Sequence, residues 1–163
     1  IFAKNAAAHQ TLSQLFEGRD IIKKYVGIVL GQPPLEGEID APIMEHSIKK
    51  GQMIVHAKGK TALTSYKLIQ QFKWYAFMEF QIHTGRTHQI RVHLASLGHP
   101  IVGDDKYGDF ALNKRLDSAG LLTRMFLHAG SLRCKHPVTG EPLVIEAPLP
   151  DELQSFLDYC ANL

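Results

Sequence analysis

Between His83 and His99 the chain reads HTGRTHQIRVHLASLGH, a stretch with two arginines, four histidines and no acidic residue. A strand end, a glycine turn and a helix start follow one another here. That order exposes backbone N–H groups and the positive end of a helix dipole. Arg86 is expected in the first turn, where a guanidinium can fork onto a phosphate. The chemistry is that of an anion site, and RNA is the obvious polyanion; a solvated basic face making surface ion pairs is the plainer reading of the same residues. The histidines also invite a metal. His83, His88 and His93 are five residues apart, and five residues turn a helix by roughly 140°, whereas two ligands on one helix face need a spacing of four. No glutamate follows His83 or His88 as in a metalloprotease helix. The expectation is no metal, with these rings hydrogen-bonded to backbone or packed.

The surrounding elements must position this stretch. Asn5 is a good N-cap for a helix over Asn5–Glu17, stopped at Gly18. Lys23–Leu30 is rich in β-branched and aromatic residues and reads as a strand ending at Gly31-Gln32-Pro33-Pro34. Glu36–Asp40 is a weaker strand. Gln52–Ala57 and Leu63–Phe72 read as two strands joined by the Lys58-Gly59-Lys60 turn. Trp74–Ile82 alternates, with Trp74, Ala76, Met78, Phe80 and Ile82 on one face. Thr87–Leu97 is expected to be a helix, with Ile90, Leu94 and Leu97 in one stripe and Gly98 just past its end. A Gly/Asp-rich loop, Gly103–Asp109, and a polar stretch to Arg124 precede the apolar run Met125–Leu132. Leu143–Ala147 is a further strand, and Asp151 is expected to cap a last helix carrying Leu153, Phe156, Leu157 and Cys160. The fold class is α+β, with a mixed, mostly antiparallel sheet and a few packed helices.

At 163 residues the chain is one domain, or part of a larger one, and 45% hydrophobic content excludes intrinsic disorder. Lys plus Arg is 18 against 16 Asp plus Glu, a formal charge of +2 that excludes a strongly basic tail but not a local basic face. Cys134 and Cys160 are too few for a disulfide framework or a cysteine-rich zinc site. Reduced thiols and a cytoplasmic setting are the default expectation. No apolar run approaches a membrane span, and no secretory signal is visible.

The motifs then converge. His83–Gly108 (HTGRTHQIRVHLASLGHPIVGDDKYG) resembles the long signature of the RluA family of RNA pseudouridine synthases. Lys24-Tyr25 with Val26 and Val29 resembles that family's tyrosine strand, and Phe126-Leu127-His128-Ala129 its next motif. His136-Pro137-Val138-Thr139-Gly140-Glu141 and Glu146-Ala147-Pro148-Leu149-Pro150 resemble its C-terminal pattern. These matches run in order over nearly the whole chain. Gly103–Asp109 and the tail resemble the branch acting on large-subunit ribosomal RNA.

The resemblance implies isomerisation of uridine to pseudouridine in structured RNA, without metal or cofactor. It places on Arg91 the arginine that pairs with the family's catalytic aspartate, and on Tyr25 the tyrosine that stacks on the flipped base. Arg86, His88 and Gln89 would contact RNA or position the loop. Lys106 and Tyr107 would sit beside the substrate strand, and Leu127 would form an apolar wall near the base. Each has a plainer reading: a structural ion pair for Arg91, core packing for Tyr25, Tyr107 and Leu127. The family's aspartate lies in a His-Arg-Leu-Asp run. Ile1-Phe2-Ala3-Lys4 resembles the segment shortly after it, so the nucleophile is expected just upstream of Ile1, and the 163 residues are expected to be an inactive part of the catalytic domain. Arg115-Leu116-Asp117 imitates the motif, but Asp117 is expected on an exposed loop. A non-catalytic RNA-binding module of the same fold is the alternative.

Overall fold

The computed structural model describes residues 21–135 and 139–163. The expected helix Asn5–Glu17, the strand-like start Ile1–Lys4 and His136–Val138 lie outside the described residues. In chain order the elements are β1 (Ile22–Leu30), β2 (Glu36–Asp40), β3 (Ile43–Glu45), β4 (Met53–Val55), β5 (Leu63–Gln71), β6 (Tyr75–Ile82), α1 (Gln89–Ser96), α2 (Phe110–Ser118), β7 (Leu127–Lys135), β8 (Pro142–Glu146) and α3 (Asp151–Ala161). Six strands form one sheet in the order β2-β5-β6-β1-β7-β8, and β3 pairs with β4 in a small second sheet. Every strand pairing among the described residues is antiparallel. The α+β class is as expected.

Both faces of the central strands are buried, and consecutive residues show it. Ile28 packs with Tyr75, Phe126, Leu153, Phe156 and Cys160, the side covered by α3. Val29, one residue on, packs with Ala76, Met78, Phe80, Ile90 and Leu94, the side covered by α1. Period-2 side-chain direction makes this division. Fully burying a ring such as Phe80 or Phe156 stabilises the fold by about 2–3 kcal/mol.

Several expected details change. Gln52–Ala57 and Leu63–Phe72 do not form a hairpin: β4 pairs with β3, while β5 pairs with β2 and β6. The turn is real, with the Gly59 amide donating to the His56 carbonyl, but the chain then crosses to the main sheet. β3 was too short to show a period. Trp74 precedes β6 and is 60% exposed, so the buried alternation begins at Ala76. The polar stretch holds a helix, α2, started by Asp109, whose side chain accepts the Leu112 amide. Asp117 therefore lies exposed on a helix rather than on a loop. Asp151 is the first residue of α3 and not its cap; that position is Pro150. Its carboxylate still complements the helix dipole from the first turn.

Candidate active site

α1 starts later than the sequence suggests, at Gln89, so Arg86 lies in the turn before it. The turn is wired inward. Gln89 is buried, and its Oε1 accepts the Thr84 hydroxyl at 2.6 Å and the Arg86 amide at 3.1 Å. Its Nε2 donates to the Leu63 carbonyl and to Thr64 Oγ1, both at 2.9 Å. Gln89 is thus the bolt that ties the basic turn to the start of β5, and the Arg86 amide is not free for an anion. Arg86 itself donates from Nε to the Thr61 carbonyl at 2.8 Å.

Arg91 is in the first turn of α1 and forms a two-pronged pair with Asp104. Nε donates to Oδ2 at 2.9 Å and Nη2 to Oδ1 at 2.8 Å, with Asp105 3.4 Å from Nη2. The Arg91 side chain is 13% exposed and that of Asp104 is fully buried. Burial alone would raise the Asp104 pKa; the Arg91 hydrogen bonds and the amides of Lys106 and Tyr107 outweigh it and hold the carboxylate below its ordinary value. The same hydrogen bonds raise Arg91 further. Asp104 is the site residue that its motif did not single out. Its signal was an acid buried in a Gly103–Gly108 turn, directly after the apolar Ile101-Val102. Its Oδ1 accepts the amides of Lys106 at 2.9 Å and Tyr107 at 3.1 Å, the habit of an aspartate that starts a turn. Asn113 of α2 clamps the loop from outside, donating to the Asp104 carbonyl and accepting the Gly103 amide.

Lys106 and Tyr107 follow on this loop. The Arg91 guanidinium carbon stands 5.1 Å above the Tyr107 ring centre. The Tyr107 hydroxyl accepts the Met53 amide at 2.8 Å and lies 2.8 Å from His88 Nδ1. Lys106 Nζ reaches the Gly51 carbonyl at 3.5 Å. His88, Arg91, Lys106 and Tyr107 are therefore brought together, against the β3–β4 hairpin.

Tyr25 and Leu127 come to the same side of the sheet from β1 and β7, packing with the cluster that holds Ile90 and Leu94 of α1. Tyr25 is half-buried and lines a cavity of about 250 Å³ with Ala129, Leu132, Ile145 and Ala147. The β1–β7 register slips beside it, between Lys24 and Tyr25, leaving Gly130 without a partner in the ladder. Such a bulge bends the strand and re-aims nearby side chains. A larger cavity, about 530 Å³, opens against Lys24, Val26 and Glu79, where Lys24 and Glu79 pair with each other at 3.6 Å.

The histidines go to separate partners. His83 Nε2 is 2.7 Å from the Ser65 hydroxyl, and buried His93 bridges Thr64 Oγ1 and the Ala41 carbonyl. Among the described residues no three His, Cys, Asp or Glu side chains converge as metal ligands would. No helix among them is long and apolar enough to cross a membrane.

Known proteins resemble this chain in sequence and in fold. The model of the RNA pseudouridylate synthase family matches residues 1–96. "Ribosomal large subunit pseudouridine synthase D" of Nitrosomonas europaea is 38% identical over 164 aligned residues, covering 100% of this chain and 48% of that protein. The Vibrio cholerae protein of the same name is 39% identical over 94% of this chain and 49% of its own length. The chain thus spans about half the length of these relatives. Among solved structures, human RNA pseudouridylate synthase domain containing 4 superposes with a TM-score of 0.77 at 27% identity, covering 96% of this chain and 69% of that one. Human RNA pseudouridylate synthase domain containing 1 gives 0.76 at 28% identity, covering 91% and 62%. By this family match and these relatives, the chain belongs to the RluA family of RNA pseudouridylate synthases.

Proposed function

We propose that this chain forms the substrate-holding part of an enzyme that converts uridine to pseudouridine in large-subunit ribosomal RNA. The reaction breaks the C1′–N1 bond, turns the uracil and joins C5 to C1′; the C5 hydrogen is lost and N1 gains a proton, so the base is isomerised with no net change. The observation that carries the reading is Arg91: a guanidinium fixed by Asp104, largely buried, on the sheet side that holds Tyr25 and Leu127. Of its five N–H donors, the two on Nη1 have no acceptor among the described residues. They suit a second carboxylate, the one that attacks C1′ or takes the 2′ proton.

Asp104 is a poor choice for that carboxylate, because its two oxygens already accept four hydrogen bonds within a fully buried turn. Asp105 is 87% exposed and Asp117 stands on the outer face of α2. We assign the catalytic aspartate to a His-Arg-Leu-Asp run upstream of Ile1, a run that does not occur within the 163 residues. Tyr25 supplies a face for the base taken out of its stack. Leu127 forms the apolar wall, and Arg86 and Lys106 meet phosphates. The setting would be cytoplasmic, with no cofactor or metal in the reaction.

The test is release of tritium from [5-³H]uridine in a large-subunit rRNA transcript. The product of the complete reading frame is expected to release it stoichiometrically, and the bare 163-residue polypeptide to bind RNA without release. Release by the bare polypeptide would place the nucleophile within it; binding without release by the complete product would favour the non-catalytic RNA-binding module.

A further inference from the structure

His88 is the one described non-glycine residue with a positive φ, at φ 54° and ψ 25°. A left-handed conformation is unfavourable for a β-carbon-bearing residue and persists where the surroundings over-determine it. Here the ring meets Tyr107. The two rings meet edge to face, with centres 5.6 Å apart at 70°, and Nδ1 is 2.8 Å from the phenol oxygen.

The hydrogen count favours one direction for that bond. The phenol oxygen already accepts the Met53 amide, and the phenol has one proton to give. Among the described residues the one acceptor within its reach is His88 Nδ1. In that arrangement the imidazole carries its own proton on Nε2, which has no partner among the described residues. A protonated ring would instead push an Nδ1 proton at the phenol oxygen and leave the phenol proton without an acceptor. The charged groups facing the ring are Arg91 on α1 and Asp104, Asp105 and Lys106 on the loop; the hairpin contributes the Met53 amide. Burial first, then Arg91 and Lys106, lower the His88 pKa below its ordinary value, against a smaller opposing pull from the two aspartates.

We propose that His88 is a neutral, fixed hydrogen-bond donor that presents Nε2–H, beside Arg91, to an uncharged oxygen of the bound nucleotide, and that Tyr107 is the positioning residue that sets its tautomer. This rests on the RNA-binding reading above and narrows it: His88 reads a base carbonyl or a ribose hydroxyl, while phosphate is left to Arg86 and Lys106.

Two measurements test it on the complete gene product. The first is a ¹H–¹⁵N correlation of the imidazole nitrogens in the RNA-free protein. It should show His88 as the Nε2–H tautomer, titrating below its ordinary value, and Tyr107→Phe should mix the tautomers. An Nδ1–H ring, or a cation at neutral pH, would overturn the proposal whether or not the protein is an isomerase. The second is binding to a uridine-containing RNA hairpin at several salt concentrations. His88→Asn keeps a residue that tolerates the left-handed backbone, and should weaken binding about tenfold, one neutral hydrogen bond. The slope of log K against log salt should stay unchanged, whereas Arg86→Ala should lower its magnitude by about 1. A slope change with His88→Asn, or unchanged affinity, would refute the assignment. With 2′-deoxyuridine at the target, a persisting penalty identifies a base carbonyl and a vanished one the ribose hydroxyl.

Discussion

Replacing Asp104 by Asn changes one atom and removes one charge. The side chain is fully buried, so the new amide stays where the carboxylate was. Its oxygen can still accept the Lys106 and Tyr107 amides. Its NH₂ then takes the place of Oδ2 and faces the Arg91 Nε–H, donor against donor, and a guanidinium that is 13% exposed loses its counter-charge. Breaking a buried pair from one side costs about 3–5 kcal/mol. Asp105, 3.4 Å from Nη2 but 87% exposed, returns only about 0–1 kcal/mol. The net expectation is a loss of about 3 kcal/mol, which with a urea m-value of about 2 kcal/mol/M lowers the midpoint by roughly 1.5 M. Arg91→Met alone should cost less, because it leaves a carboxylate still holding two amides, and the double variant should recover part of the loss as a favourable coupling. The pH dependence has a definite sign. The Asp104 pKa is lowered in the folded state, so its contribution is present above the ordinary carboxylate pKa and is lost as pH falls through the lowered folded value. Asp104→Asn should lack that part of the acid slope. A midpoint shift under about 0.3 M at unchanged m, or an unaltered acid slope, would refute the reasoning.

Three further outcomes follow from the same geometry. His93, buried between Thr64 and the Ala41 carbonyl, has its pKa lowered chiefly by burial, so its neutral form stabilises the fold above the ordinary histidine pKa and that stability fades as pH falls toward the folded value; His93→Leu should cost about 1–3 kcal/mol at pH 8 and flatten this acid limb in urea titrations. Gly103→Ala sets a β-carbon against the Arg124 backbone carbonyl at φ +83°, so thermal unfolding should show a loss above about 2 kcal/mol. Tyr25→Ala should slow pseudouridine formation by about 10²-fold or more in single-turnover assays, from lost stacking and placement of the base, while Tyr25→Phe keeps most of the RNA affinity.

The main sheet is legible in the sequence because its central strands carry the period of two in their residue types: Ala76, Met78 and Phe80 read as one face from their alternation alone. α2 is hidden because Phe110–Ser118 places only Leu116 fully in the core, too little for a stripe. The β3–β4 sheet is hidden because three residues show no period. Within the site, the basic turn and the tyrosine strand are visible as motifs, and the fold brings them to one side of the sheet. The partner of Arg91 is not visible in this way. Asp104 lies thirteen residues away across a turn, and nothing local to Arg91 points to it. Nor is the αL backbone of His88, whose ring meets Tyr107 nineteen residues on.

The central claim rests on Arg91. The direct measurement is single-turnover release of tritium from [5-³H]uridine-labelled large-subunit rRNA by the complete gene product and by its Arg91→Ala variant, with RNA binding measured in parallel. Full release by the wild type is expected, with release by the variant at least about 10²-fold slower at RNA affinity within a few-fold, since the lost group acts on charge in the reacting complex. A variant that releases tritium within tenfold of the wild-type rate would contradict the role assigned to this guanidinium.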